Sequence, residues 1–266
     1  MLIVDAQIHL FGPNAQEHAQ RVGQEIVDVE AVVAAMDANG VSRAYLVPAG
    51  SAGNQECLDA ARRWPDRFKV MGIPGLSKPE SRDLARQWKS LGYTGARLSF
   101  PPFRDPSWLR DGTADWYWPV AQDLQIPVMI WAPEQLTEVG QVADRYPDLK
   151  IIIDHLGLFV EDKGEAVVSG VVKHLLPLAS RPNVAVKASA LQNHSAQAYP
   201  HRDLHQPLHE VFDAFGPDRM FWGSDMTRQP ALYGEAITMF TEHLDFLSGP
   251  DLEKVMGQAI SNWIGW

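Results

Sequence analysis

Short apolar runs recur along the chain and alternate with longer segments that carry apolar residues at helical spacing. Each run is long enough for a buried strand, and most are soon followed by Gly, Pro or a polar residue. This alternation is typical of a parallel sheet with helical crossovers. The predicted strands are residues 2–11, 44–48, 68–73, 95–98, 127–131, 150–154, 183–187 and 219–223.

The segments between these runs predict helices. Val32, Val33 and Met36 have helical spacing, and Asn39-Gly40 after them is a typical helix stop. The predicted helices are residues 29–38, 54–64, 79–91, 115–124, 136–146, 171–178 and 204–215, followed by two more at 233–247 and 251–266.

Two polar segments do not fit either pattern. Residues 12–26 are rich in Asn, Gln, Glu and His, and residues 188–202 contain Asn193, His194, Tyr199 and His201. We predict that both are surface loops at the mouth of the fold, where long ordered loops often act as lids.

Eight strands alternating with helices is the number that closes a parallel (β/α)8 barrel, the TIM-barrel architecture, here with extra C-terminal helices. No shift in composition marks a second unit, so residues 1–266 are predicted to form a single domain. An open doubly wound sheet is the alternative, but the first strand lacks the glycine-rich phosphate turn that usually follows it in that fold.

Composition narrows the choice of partners. The chain has 266 residues, 45% of them hydrophobic, and a formal net charge of −10, which disfavours nucleic acid. The single cysteine, Cys57, cannot form an internal disulfide and indicates a reducing compartment. No apolar run approaches the ~20 residues of a membrane span. We therefore expect a cytoplasmic protein that contacts neither nucleic acid nor membrane.

Polar residues suited to catalysis or metal binding lie on or just after three of the predicted strands. Asp5, Gln7 and His9 occupy alternate positions of the first strand and are predicted to share one face. His155 follows the sixth strand and Asp225 the eighth, so a closed barrel would bring His9, His155 and Asp225 to one mouth. Two imidazoles and a carboxylate suit a divalent cation such as zinc, and they equally suit acid–base catalysis without a metal.

Four motifs resemble those of a known family: Asp5-Ala-Gln-Ile-His9, Gly95-Ala-Arg97, Asp154-His155-Leu-Gly157 and Trp222-Gly-Ser-Asp225. Over nearly its whole length the chain resembles the amidohydrolase-related branch of the amidohydrolase superfamily, metal-dependent hydrolases of barrel fold, and within it the lactonase-like group. The resemblance implies hydrolysis of a lactone or related cyclic ester. It also implies that Asp225 is the general base, with His9 and His155 polarising the carbonyl directly or through a metal.

One motif departs from the family pattern, because Gln7-Ile8-His9 replaces the usual His-x-His of the first strand. An amide is a weaker zinc ligand than imidazole. We therefore predict a weakly or partially metallated site, with His9, His155 and Asp225 as the ligands and Gln7 as a weak ligand at most. In the alternative interpretation, Gln7 only orients Asp5 or His9.

Several cations and aromatic residues near the strand ends are candidate contacts for a small anionic substrate. Arginine can bind a carboxylate through two hydrogen bonds, although some of these cations could instead pair with structural acids. The candidates are Arg97, Arg104, Trp131, Lys187, Tyr199 and Arg228.

Two other functions stay open. Gln7-Ile8-His9 is similar to the Glu-x-His of barrel enzymes that decarboxylate aromatic acids without oxidation, and a non-catalytic binding protein could keep the same fold. A homo-oligomer is a further possibility, weakly indicated if the apolar segment 260–266 is exposed.

Overall fold

Eight parallel strands form one sheet whose order follows the chain, β1 to β8. The computed structural model describes residues 1–11, 15–23, 28–103, 107–228 and 232–266. The backbone N–H of Asp225, just after the last strand, donates to the backbone carbonyl of Gln7 in the first strand, and this bond joins the two edges of the sheet. The predicted (β/α)8 barrel is therefore confirmed. The strands are β1 (Val4–Leu10), β2 (Arg43–Pro48), β3 (Phe68–Gly72), β4 (Gly95–Ser99), β5 (Val128–Trp131), β6 (Ile151–Ile153), β7 (Val184–Ser189) and β8 (Met220–Gly223).

Helices surround the sheet and continue past its last strand. In the described part of the chain, no helix has both the length and the apolar character needed to cross a membrane. The helices are α1 (Ala15–Val22), α2 (Val29–Ala38), α3 (Asn54–Arg63), α4 (Ser81–Arg86), α5 (Tyr117–Asp123), α6 (Leu136–Arg145), α7 (Glu165–Leu175), α8 (Leu191–His194), α9 (His205–Phe215), α10 (Tyr233–Thr238), α11 (Gly249–Glu253) and α12 (Ala259–Ile264).

The two predicted mouth loops contain regular structure. α1 lies within residues 12–26, where Ala, Gln, Glu and Arg are good helix formers, while residues 12–14 and 24–27 lie outside the described part. In the second loop, β7 runs on to Ser189 and is followed by the short helix α8. The prediction for α7 also began too late, because that helix continues through Gly170 despite the low helix propensity of glycine.

The interior of the barrel is packed with apolar side chains below the carboxyl ends of the strands. Its buried members are Val4, Ala6, Tyr45, Val47, Met71, Met129, Ile152, Ala185 and Phe221. At the opposite end, α12 closes the barrel with the buried Ile260, and the Trp266 ring packs edge-on against Tyr45 at 5.1 Å. The apolar side chains of segment 260–266 are thus buried or half-buried against the barrel, so the segment gives no support to a dimer.

A bulge in β1 changes which side chains share a face. Asp5 pairs with Ala44 and Ile8 with Leu46, so three steps along β1 match two along β2. Val4 and Ala6 point into the barrel, whereas Ile8 packs in the outer core against the helices. The predicted common face of Asp5, Gln7 and His9 is therefore wrong for Asp5. Asp5 instead accepts hydrogen bonds from Ser224 and Tyr233.

Candidate active site

A cavity of about 330 Å³ opens at the carboxyl ends of the strands. His9 comes from β1, Arg97 from β4, His155 from the turn after β6 and Asp225 from the turn after β8. Residues far apart in sequence meet here because all the parallel strands point their carboxyl ends to one mouth.

Two of these side chains are aimed into the cavity by unusual backbone geometry. His155 has a φ of 51° and Asp225 a φ of 54°, both in the left-handed region that costs energy for any residue other than glycine. Such conformations persist where the surrounding structure holds them, and they concentrate at functional sites.

Both imidazoles are neutral, and each carries its one lone pair on Nε2. His9 Nδ1 donates to the Val47 carbonyl at 2.7 Å, and His155 Nδ1 lies 2.9 Å from Ser189 Oγ. Burial lowers the pKa of both rings well below the ordinary value of histidine. With the proton on Nδ1, the Nε2 atoms of both rings are hydrogen-bond acceptors.

The Gln7 amide lies between these two acceptors. Its Nε2 atom is 2.9 Å from His9 Nε2 and 3.3 Å from His155 Nε2. Its carbonyl oxygen accepts a hydrogen bond from the Lys187 ammonium. Because an ammonium only donates, this bond identifies which end of the amide is the NH2 group.

A buried charge network supports this amide from below. The Lys187 ammonium is fully buried, 2.8 Å from Asp154 Oδ1, and Arg97 Nε donates to Asp154 Oδ2 at 3.0 Å. Burial raises the pKa of Asp154, but Lys187 and Arg97 outweigh it and bring the pKa below its usual value. Burial also lowers the pKa of Lys187, against the opposing effect of Asp154. The pair is held as a carboxylate and an ammonium.

Asp225 is the acid that faces the cavity. Its Oδ1 lies 3.2 Å from His9 Nε2 and, within the described residues, makes no hydrogen bond. Burial raises the pKa of this carboxyl to about 6, against opposing effects of Arg228, Lys187 and Arg97. A carboxyl group with a pKa near neutrality is well matched to general base catalysis.

Comparison with known proteins identifies the family. The sequence profile of the amidohydrolase family matches residues 4–258. The chain belongs to the amidohydrolase family. The resemblance predicted from the four sequence motifs is therefore confirmed.

Two named relatives of this amidohydrolase are lactone hydrolases. It is 28% identical over 208 residues to an L-fucono-1,5-lactonase from Burkholderia ambifaria, covering 73% of this chain and 69% of that protein. It is 27% identical over 227 residues to a 4-sulfomuconolactone hydrolase from Rhizobium radiobacter, covering 83% and 74%. Among solved structures, an amidohydrolase from Burkholderia multivorans with bound zinc shares the fold, with a TM-score of 0.79, 20% identity and 99% of both chains covered.

The structure brings some of the predicted substrate contacts to the cavity and not others. Arg97, Trp131 and Arg228 line it, although Arg97 also pairs with Asp154. Lys187 lies beneath the cavity, and Tyr199 lies away from it with its hydroxyl bonded to Thr238 Oγ1 at 2.7 Å. Neither residue is among those that line the cavity, and substrate contact stays a prediction for both. Arg104 lies outside the described residues.

Three of the other residues that line the cavity have side chains that contain nitrogen: Arg21, Asn193 and His194. A cavity position was not predicted for Arg21, because it lies on α1, in a segment whose polar composition predicts a loop. Asn193 and His194 were placed near the mouth by their polar segment but were not assigned a role. His194 Nδ1 donates to the Asp162 carbonyl at 2.8 Å, which leaves its Nε2 as an acceptor.

The zinc of the solved amidohydrolase raises the question of whether these residues fit a metal. The two imidazoles and Asp225 are the donor types that zinc prefers. The Gln7 NH2 group, however, bonds both Nε2 lone pairs, and an amide NH2 is not a metal ligand. Within the described ranges, no group of three His, Cys, Asp or Glu side chains has the geometry of a metal site. As arranged, the residues do not fit a metal ion.

Proposed function

We propose that this amidohydrolase hydrolyses a lactone or related cyclic ester of a small anionic substrate, with Asp225 as the general base. The observation that carries the proposal is the Asp225 carboxyl group, which is buried at the cavity, has a pKa near 6 and has an Oδ1 without a hydrogen bond among the described residues. The names of the two lactone-hydrolysing relatives support the same reaction.

The proposed reaction uses groups on the cavity wall. Asp225 takes a proton from water as the water oxygen attacks the lactone carbonyl carbon, and the ring C–O bond then breaks. The leaving oxygen takes that proton from Asp225, which yields a ring-opened hydroxy acid. The Gln7 NH2 group bonds the Nε2 lone pairs of the neutral His9 and His155 rings, so in this proposal the rings form the wall beside Asp225 and neither polarise the carbonyl nor accept a hydrogen bond from the water.

Positive charge favours an anionic substrate in a chain that is acidic overall. Arg21, Arg97 and Arg228 line the cavity, and Asp225 is the one carboxylate among its lining residues in the described ranges. Guanidinium groups bind carboxylate or sulfonate oxygens well. In the proposed reaction one of them, Arg97, also stabilises the negative charge that develops on the carbonyl oxygen. No step is assigned to a metal, because the Gln7 amide bonds the imidazole lone pairs.

A panel of lactones tests the proposal, with carboxylated, sulfonated and neutral aldonic members assayed by proton release. We expect turnover of at least one anionic lactone and a loss of about 10²- to 10⁴-fold in kcat for Asp225→Asn. Carbon dioxide release from aromatic acids without lactone opening would establish the decarboxylase alternative. Tight binding without turnover, unchanged in Asp225→Asn, would indicate a binding protein. The cytoplasmic location and the homo-oligomer stay predictions.

A further inference from the structure

Gln7 stands where the His-x-His motif of the resembled family has its first histidine, and its surroundings give it a definite orientation. We propose that Gln7, held by Lys187, is a built-in replacement for the metal ion: its NH2 group fixes the two imidazoles that a metal would otherwise hold. This inference concerns the organisation of the site and does not depend on which substrate the enzyme hydrolyses.

The orientation of the amide rests on the contacts of Lys187. The Nζ atom has three acceptors around it: the Gln7 carbonyl oxygen, Asp154 Oδ1 at 2.8 Å and Met129 Sδ at 3.4 Å. Two of these contacts are hydrogen bonds and the third, to Asp154, is an ion pair, so the ammonium faces acceptors alone. Lys187 and Asp154 are both fully buried, so no water is available to replace the amide as an acceptor.

Reversing the amide is unfavourable for the same reason. A reversed Gln7 would place its NH2 group against the ammonium, donor facing donor, and its oxygen against the lone pairs of His9 and His155. All of these groups are buried, so each lost hydrogen bond would be left without compensation. Gln7 therefore cannot present its oxygen to a cation while Lys187 keeps its charge and position.

The NH2 group also fulfils the positioning role of a metal. Each imidazole is held at both nitrogens, since Nδ1 bonds Val47 in His9 and Ser189 in His155 while Nε2 faces Gln7. The Gln7 NH2 group also bonds the Asp225 carboxyl, so its two hydrogens are shared among three acceptors. Both rings are thereby kept in one tautomer and orientation beside Asp225.

Zinc affinity, measured by calorimetry and by metal analysis of protein without a histidine tag, tests the proposal. We expect that zinc binds the wild-type protein weakly and substoichiometrically. The Gln7→His variant has the His-x-His motif and should bind zinc more than about 100-fold more tightly than the wild-type protein. Mutating a residue that contacts only the metal ligands typically changes metal affinity by about 10- to 100-fold, so a larger gain would mean that the introduced histidine itself binds the metal. Lys187→Met should release the Gln7 oxygen and increase zinc affinity by about 10- to 100-fold. Lys254→Met, which removes a surface lysine paired with Asp218, is the control and should leave zinc affinity unchanged.

The Lys187→Met result separates a positioning role from a purely structural one. If Lys187 only stabilises the core, its loss should lower stability and leave zinc affinity unchanged or weaker, which would overturn the proposal. Stoichiometric, tightly bound zinc in the wild-type protein would overturn it as well.

A measurement on the wild-type protein covers the case in which a variant does not fold. In ¹⁵N NMR spectra of the histidine rings, His9 and His155 should both be neutral with the proton on Nδ1. Their Nε2 signals should not move when one equivalent of zinc is added. A shift of both Nε2 signals to metal-bound values would contradict the proposal, whether or not any lactone proves to be a substrate.

Discussion

At the scale of single residues, the protonation of Asp225 should control the rate. A general base must be deprotonated to accept a proton, and burial raises the pKa of this carboxyl to about 6. We therefore expect kcat/KM to fall about tenfold per pH unit below 6 and to level off above it. A pH–rate profile on an active lactone checks this, and a rate that is flat between about pH 4.5 and 7.5 would exclude Asp225 as the titrating base.

Arg228 should affect binding of the substrate more than its chemistry. The side chain is exposed at the cavity, with its guanidinium 5.6 Å from the centre of the Phe11 ring. Arg228→Gln should raise KM for an anionic lactone about tenfold or more while kcat changes little, because the lost contact exists before and during the reaction. Arg86→Gln, an exposed arginine on α4, is the control. A neutral lactone should show no change in KM, and an equal change would mean that Arg228 does not bind the anionic group.

At the scale of elements, Asp5 joins the first and last strands. Its buried carboxylate accepts hydrogen bonds from the backbone N–H groups of Gln7 and Ser224, from the Ser224 hydroxyl and from the Tyr233 hydroxyl. Asp5→Ala removes the common acceptor of these buried donors and should lower the free energy of unfolding by at least about 3 kcal/mol. Urea unfolding followed by circular dichroism measures the change.

Tyr233→Phe is the matched control for Asp5→Ala. It removes one of the donors to the carboxylate and leaves the rest, so we expect a loss of only about 1 kcal/mol. Equal losses for the two variants would mean that the carboxylate does not hold β1 and β8 together.

At the scale of the whole molecule, the end of the barrel opposite the cavity should affect stability without affecting catalysis. A Cβ atom on Gly257 would lie 2.7 Å from the Leu2 carbonyl oxygen and 3.0 Å from the Val4 nitrogen, both backbone atoms of the first strand region. Gly257→Ala should therefore cost about 1–3 kcal/mol and lower Tm by several degrees, with kcat nearly unchanged. Thermal unfolding and the lactone assay measure the two effects.

Gly170→Ala provides the comparison for Gly257→Ala. Apart from its chain neighbours and the backbone of its own helix, a Cβ atom there would have no heavy atom of the described residues within 4 Å. The position lies inside α7, where alanine is favoured over glycine by roughly 0.5–1 kcal/mol. We expect an unchanged or slightly higher Tm. A fall in Tm as large as that of Gly257→Ala would mean that the contact with the first strand is not the cause.

The chain by itself determined the barrel and the centre of its site. Eight apolar runs separated by helical segments predicted the parallel strands, and their carboxyl ends must meet at one mouth. His9, His155 and Asp225 could be brought together from sequence for this reason, since each lies near the end of its own run. Local patterns suffice here because strand length, helix period and the direction of parallel strands are local properties.

Only the tertiary structure decided what each neighbouring side chain contacts. The bulge in β1 places the Asp5 and Gln7 side chains on different faces of the strand. The Lys187 ammonium forms an ion pair with Asp154 and a hydrogen bond to the Gln7 side chain beneath the cavity. Arg21 reaches the cavity from a helix that polar composition concealed. These outcomes depend on the pairing register and on hydrogen bonds and ion pairs between residues that lie on or just after different strands. A sequence pattern carries no information on such contacts, because a one-residue shift in pairing changes the face of every following side chain.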